Sequence, residues 1–168
     1  MSIDWDSFFF GLAHVAAKKS KDPSTQVGCV IVDENDRMVS MGFNGFPKHM
    51  DDKWAYDQGR EFKLKYTLHA EENAVAFAGK SLEGCRAYLT HPPCGHCLSL
   101  LKQVGISSIY YIDPPKEWKS RWGTDEMLAI ADHLGIKMYY GGHNGKQEEP
   151  PESSRQEMGE EEGEGSSD

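Results

Sequence analysis

Apolar side chains near the start of the chain fall on a helical ladder: Trp5, Phe8, Phe9, Leu12, Val15 and Ala16 recur at i, i+3, i+4 and i+7 spacing. The spacing predicts a helix over 3–20. Lys18 and Lys19 suit its C-terminal dipole, and Asp22-Pro23 ends it. Residues 27–32 form a continuous apolar run of buried-strand length, Asp33 to Asp36 are turn chemistry, and 37–43 read as the returning strand of a hairpin. Periodicity is then lost over 44–66, rich in Gly, Pro, Asp and Lys with isolated aromatics; a long functional loop with one helical turn is expected there. Beyond it the pattern alternates. Ala70, Ala74, Phe77 and Ala78 mark a helix face closed by Gly79, 87–89 a strand, 93–103 a helix stopped by Gly105, and 107–112 a strand. Thr124 caps a helix with Asp125 and Glu126 in its first turn and Gly135 at its end, and 136–140 is the last strand. A helix, a hairpin and three helix–strand repeats predict an α/β chain. Its five-stranded mixed sheet lies between helices in three layers, because crossover helices must cover the faces of the parallel strands.

Length and charge divide the chain without changing that picture. Its 168 residues suit one domain. No run of about 18 apolar residues exists to cross a bilayer, and no basic segment precedes Phe8 as a signal peptide would require. The net charge is −9, but residues 145–168 hold nine acids and two bases, leaving 18 acids and 16 bases before them. With Pro150, Pro151 and almost no apolar side chains, 145–168 is expected to be an acidic disordered tail on a domain spanning 1–144. A near-neutral body argues against gripping duplex nucleic acid by broad phosphate neutralisation; a site for one phosphate remains compatible. Four cysteines are too few for a disulfide scaffold. Cys29 and Cys85 read as buried small hydrophobes in a reducing cytoplasm, whereas the close pair Cys94 and Cys97 needs a chemical reason.

That reason is a metal. His69, Cys94 and Cys97 match one tetrahedral Zn²⁺ with its fourth position open to water. His69 and Glu71 sit at the start of one predicted helix, and Cys94 and Cys97 share the first turn of the next, where both sulfurs face one way. A helix N-terminus also favours the thiolates that coordination needs. Zn²⁺ brings the pKa of bound water towards neutrality, and Glu71 lies close enough to take its proton without being a ligand. H-x-E followed by P-C-x-x-C is the signature of zinc nucleobase deaminases. Closure of a structural Cys₂His₂ sphere by His91 or His96 is the competing reading, and would make a zinc-stabilised binding module without catalysis.

Residues 5–140 resemble the cytidine deaminase superfamily, and within it the deoxycytidylate (dCMP) deaminases. Four segments carry the likeness: Ser20-Lys21-Asp22-Pro23-Ser24-Thr25-Gln26-Val27-Gly28, Gly42-Phe43-Asn44-Gly45-Phe46-Pro47, His69-Ala70-Glu71-Glu72-Asn73-Ala74 and Thr90-His91-Pro92-Pro93-Cys94-Gly95-His96-Cys97. The resemblance implies hydrolysis of dCMP to dUMP and ammonia in the cytoplasm, with Glu71 as proton shuttle. It implies substrate contacts from Ser24, Gln26, Val27, Asn44 and Ala70, with Asn44 on the 3′-hydroxyl and Val27 on the base. It further implies a homo-oligomer, often a hexamer, activated by dCTP and inhibited by dTTP, with Mg²⁺ accompanying such a triphosphate. Exposed aromatics such as Trp54 and Phe62 suit a subunit interface. Some viral members carry a second zinc on extra Cys and His residues before H-A-E; here that region offers only His49 and Cys29, so one zinc per subunit is expected. Lys48, Lys116, Lys119 and Arg121 are candidate phosphate cations. Trp118 stands near where relatives commonly place a phosphate-holding tyrosine. Superfamily members acting on free nucleosides, guanine, a riboflavin intermediate or tRNA adenosine are the alternative, and the near-neutral body favours a mononucleotide over tRNA.

Overall fold

The computed structural model describes residues 1–112, 124–141 and 147–148. The first helix, α1 (Trp5–Ala17), is capped by Asp4, whose side chain accepts from the Ser7 backbone N–H. It is followed by the hairpin β1 (Gly28–Val32) and β2 (Met38–Phe43). The helix–strand alternation then runs α4 (Ala70–Ala76), β3 (Arg86–Leu89), α5 (Gly95–Gln103), β4 (Ser108–Tyr111), α6 (Thr124–His133) and β5 (Lys137–Gly141). Sheet order is β2-β1-β3-β4-β5, closed at the edge by a two-residue strand, β6 (Gln147–Glu148), antiparallel to β5. The first three strands pair antiparallel and β3, β4 and β5 pair parallel, so the mixed five-stranded sheet is the one expected. Gln147 and Glu148 belong to the acidic segment 145–168, the rest of which lies outside the described residues.

Strand alternation separates two cores. Val30, Val32, Tyr88 and Tyr110 pack under Phe9, Phe10 and Ala13 of α1. Cys29, Ile31, Ala87, Leu89 and Ile109 face the other way, onto Ala70 and Ala74 of α4, Leu98 and Leu101 of α5, and Met127 and Ala131 of α6. The result is three layers.

Two features of the sheet position the site. A Cβ at Gly42 would lie 2.2 Å from the Ala70 carbonyl oxygen and 2.4 Å from the Ala74 nitrogen, so only glycine lets β2 press against α4. Ser40 Oγ donates to the Ala74 carbonyl at 2.7 Å and Asn73 Nδ2 to the Phe43 carbonyl at 2.8 Å, locking the same contact. The helix is shorter than its apolar pattern suggests: it stops at Ala76, and Phe77 is 56% exposed beneath the Lys48 ammonium.

Segment 44–66 is more ordered than a loop with one turn. It holds α2 (Asp52–Asp57), capped by the Asp51 side chain on Trp54 N, and α3 (Arg60–Tyr66), separated from it by Gly59 at φ +91°. Their aromatic rings pack on one another and on Phe46: Phe46–Tyr56 at 4.9 Å between centroids, Phe62–Tyr66 at 4.5 Å, Trp54–Phe62 at 5.4 Å. Helices of six and seven residues are too short to show a periodicity, and this local cluster supplies what propensity does not. Among the described residues, no helix is long and apolar enough to cross a membrane.

Candidate active site

A cavity of about 570 Å³ opens between the starts of α4 and α5 on one side and α3 with residues 22–27 on the other. His69 is the N-cap of α4 and Cys94 that of α5; Cys97 sits one turn on, its backbone N–H donating to Cys94 Sγ at 3.5 Å. His69 Nδ1 lies 3.5 Å from Cys94 Sγ and 3.3 Å from Cys97 Sγ, and the three ligand atoms fall within 4.8 Å of one another. Two ligands at Zn–N and Zn–S bond lengths, set tetrahedrally, stand roughly 3.6 Å apart. The set fits zinc. Its hydrogen bond from Cys97, with His69 beside it, holds the Cys94 thiol far below the usual range. Cys97 shares that proton and moves the opposite way. Glu71 is 4% exposed beside these groups, and burial pushes its carboxyl up to about 7. Its neighbour Glu72 does different work: Oε2 accepts from His69 N at 2.7 Å, one half of a capping box, and Oε1 meets His96 Nε2 at 3.3 Å. His96 is therefore a surface partner of Glu72, and His91 Nδ1 sits 3.0 Å from Thr90 Oγ1; among the described residues neither joins the ligand set.

The opposite wall is organised by Asp22, whose side chain is 3% exposed. Its Oδ1 accepts from Ser24 N at 2.8 Å and Thr25 N at 3.0 Å, an Asx turn, and Lys63 Nζ of α3 meets the carboxylate at 2.7 Å. Asn44, buried, knits this turn to the end of β2: its Oδ1 accepts from Val27 N at 2.8 Å while Nδ2 donates to Thr25 O at 2.9 Å and to Asp22 Oδ2 at 3.4 Å. Tyr56 and Thr67 also line the cavity, and their hydroxyls are buried with no hydrogen-bond partner among the described residues. Burial, reinforced by the charges of Asp22 and Asp52, pushes the Tyr56 hydroxyl up to about 12.

The chain matches the cytidine and deoxycytidylate deaminase zinc-binding region over residues 3–113. It belongs to that family. An uncharacterised deaminase of Aliivibrio fischeri is 48% identical over 134 residues, 80% of this chain and 88% of that protein. A probable deoxycytidylate deaminase of Drosophila melanogaster is 41% identical over 146 residues, 80% and 71% of the two chains. The human deoxycytidylate deaminase is 34% identical over 116 residues, 66% of this chain and 65% of that one. Among solved structures, cyanophage S-TIM5 dCMP deaminase in complex with dCMP and dUMP superposes with a TM-score of 0.66 at 23% identity, covering 83% of this chain and 98% of that one. The chain is thus a zinc-dependent deaminase of the cytidine deaminase superfamily, with a His-Cys-Cys metal site.

Of the residues expected from sequence at the site, His69, Ala70, Glu71, Cys94, Ser24, Val27 and Asn44 all line the cavity. Cys97 is buried behind Cys94. Gln26 does not line it: its amide donates to the Ser20 carbonyl at 2.7 Å and braces the loop. Lys48 does not line it either, and Lys116, Trp118, Lys119 and Arg121 lie outside the described residues. Tyr56, Arg60, Lys63 and Thr67 also line the cavity and were not singled out from sequence; His91 lines it too, weighed there as a possible fourth ligand, and Asp22, read as a helix stop and as part of the Ser20–Gly28 segment, lines it as the centre of an Asx turn.

Proposed function

We propose that the chain deaminates dCMP to dUMP. The observation that carries the reading is one cavity lined both by the metal ligands His69 and Cys94 with buried Glu71 and by the cations Arg60 and Lys63. That is the polarity of a nucleotide: a base to be attacked and a phosphate to be held. Relatives named as deoxycytidylate deaminases support it.

Bound Zn²⁺ supplies a Lewis acid that makes water a nucleophile near neutral pH. Glu71 would take the proton that this water gives up and deliver it to N3 of the cytosine so that C4 becomes electrophilic; once the water oxygen has added to C4, Glu71 would take the second proton from that C4 hydroxyl and deliver it to the amine, so that the C4–N4 bond breaks and ammonia leaves as the C4 carbonyl forms. Val27 and Ala70 form the apolar wall against the base. Asn44 has both N–H groups committed to Thr25 and Asp22, so the sugar 3′-hydroxyl would donate to the remaining lone pair on Oδ1. Ser24 offers its hydroxyl to the phosphate, with Gln26 bracing the loop behind it. On the same resemblance, the reading includes one zinc per subunit and a cytoplasmic homo-oligomer responsive to dCTP and dTTP.

A panel of cytosine nucleosides and nucleotides, assayed for ammonia release with and without dCTP, tests the assignment. A lost phosphate leaves two charge-assisted donors unpaired, about 10²–10⁴ in specificity. Deoxycytidine should therefore be far poorer than dCMP in kcat/KM, and CMP poorer as well. Equal kcat/KM for deoxycytidine and dCMP would overturn the nucleotide assignment and leave a nucleoside deaminase on the same zinc chemistry.

A further inference from the structure

The two edges of the sheet are finished differently. At one, β6 pairs with β5 and covers its backbone. At the other, β2 pairs with β1 alone among the described residues, and residues 38–43 bring neither a charge nor a proline to that edge. Charges, prolines and covering elements are what blunt a free edge, so a bare strand of this kind is a template for another strand. Its one irregularity, the extra residue Val39, lies near the start and leaves Ser40 to Phe43 in regular register. An apolar strip runs beside the same edge. Met41 and Met38 stand opposite Val30 and Val32, which pack under α1, so both methionines face the α1 side of the sheet. A Cβ at Gly141 would lie 2.6 Å from the Phe10 ring, so Phe10 reaches towards β5. At 3.6 residues per turn, Trp5, Phe8, Leu12 and Val15 lie along the other flank of α1, towards β2. Trp5, Phe8, Val15, Met38 and Met41 are between 40% and 62% exposed. Together they leave roughly 500 Å² of apolar surface open, at the top of the range that monomers leave contiguous and over half of the ~800 Å² that a standard interface buries on each side.

We propose that a second copy of this chain docks on this face, with β2 pairing antiparallel to β2 of the other copy about a two-fold axis perpendicular to the sheet. What identifies the occupant is that this single operation covers both features at once. An antiparallel pair of identical strands is self-complementary, and an uncharged edge meets no like-charge repulsion from its own copy. The same axis keeps both α1 helices on one face of the joined sheet. Three strand spacings separate the two β1 strands, so the helices above them stand roughly 14 Å apart. That groove is floored by Met38 and Met41 and walled by Trp5, Phe8 and Val15 of both copies, long side chains suited to a gap wider than bare helix contact. The proposal gives a surface to the homo-oligomer of the preceding reading and rests on that reading only for the existence of an assembly. It places the contact on α1 and β2, across the sheet from the metal ligands and away from the aromatic cluster of α2 and α3.

The test is sedimentation velocity on the zinc-loaded full chain over a dilution series, for wild type, Met41→Lys and Val15→Glu, with zinc content measured on each. Ile130→Lys, an exposed position on α6 across the sheet, serves as control. Wild type should sediment as an even multiple of the chain. Met41→Lys sets like charges against each other across the two-fold and should weaken the contact about 100-fold or more in Kd, with zinc kept, and Val15→Glu should act in the same direction. Ile130→Lys should leave the assembly intact. Met41→Cys gives a readout that does not depend on loss: the two thiols come within reach of a short bis-maleimide, so a cross-linked dimer absent from wild type should appear on a denaturing gel and vanish when Val15→Glu is added. An assembly unchanged by Met41→Lys and Val15→Glu, or no cross-link through Met41→Cys, would overturn this face while sparing the oligomer. A wild type that is monomeric throughout would overturn the oligomer and this face together, and leave the deaminase reading to its own assay.

Discussion

The two ends of the cavity are built by opposite strategies. At the metal end every chemical group sits within a few residues of a helix start: His69 and Glu71 at α4, Cys94 and Cys97 at α5. Only the docking of these two starts is long-range, and it rests on β2 pressing on α4 at Gly42. At the other end the contacts that join the Asp22 turn to β2 and to α3 are long-range. Asp22 meets Lys63 across 41 residues, and Asn44 reaches Asp22 across 22. Local spacing suffices to place ligands of one metal, because helix geometry delivers i and i+3 side chains to one point. Shaping a wall around a substrate needs segments that approach from different directions, so it is assembled by tertiary contacts.

If that division is real, substitutions at the two ends should fail differently, and the largest failures belong to the metal end. Cys94→Ala should lose zinc, measured by metal analysis of the purified protein, and with it activity and thermal stability, since binding energy of a metal site is also folding energy. Glu71→Gln should keep zinc at the wild-type ratio and lose about 10²–10⁴-fold in kcat, the range that a positioned acid–base group contributes. Glu71→Gln active at an appreciable fraction of wild type would refute the proton-shuttle role. Zinc loss in Glu71→Gln would instead make the glutamate a ligand.

A smaller effect, of a different kind, is expected at the far wall. Asp22→Asn keeps the shape of the side chain but strips Lys63 of its counter-charge, in a pair whose side chains are 3% and 19% exposed. Discounting full burial of the lysine, the loss should be about 1–3 kcal/mol. In a chain of this size that corresponds to roughly 2–4 °C in Tm per kcal/mol. KM for substrate should rise more than kcat falls, and zinc should stay. Loss of zinc from Asp22→Asn would show that the two ends are one cooperative unit.

The same contrast explains what could be read in the sequence. The order and types of the main helices and strands followed from periodicity, because each buries a face of ordinary length. The ligand set His69, Cys94 and Cys97 followed from spacing together with the H-x-E and P-C-x-x-C pattern. Helices α2 and α3 did not: six- and seven-residue segments held by an aromatic cluster carry no periodic signal. Arg60 and Lys63 were invisible for the same reason, since nothing local distinguishes a lysine that pairs with a residue 41 positions away from one in solvent. Lys48 made the converse error, a plausible loop cation that instead lies 4.6 Å above the Phe77 ring. Gly42 was read as part of a motif, and its reason became visible only with α4 packed against it.

The mildest substitution probes how much redundancy the metal end has. Glu72 accepts from His69 N at 2.7 Å and so fixes the backbone of a ligand, yet it touches neither sulfur. Glu72→Ala removes the capping-box acceptor and the contact with His96, which is 74% exposed on its side chain and contributes little. A lost cap costs about 0.5–2 kcal/mol, so Tm should fall by a few degrees by calorimetry. His69 remains held by its helix, by Ser40 and Asn73 tying α4 to β2, and by the metal itself. Zinc content should therefore be preserved, and kcat/KM should change by less than about tenfold, the low end of what removal of an outer-shell partner does. A Glu72→Ala protein that lost its zinc would show that the backbone cap, rather than the docking of α4 on β2, sets the position of His69, and the metal end would then be as dependent on single contacts as the far wall.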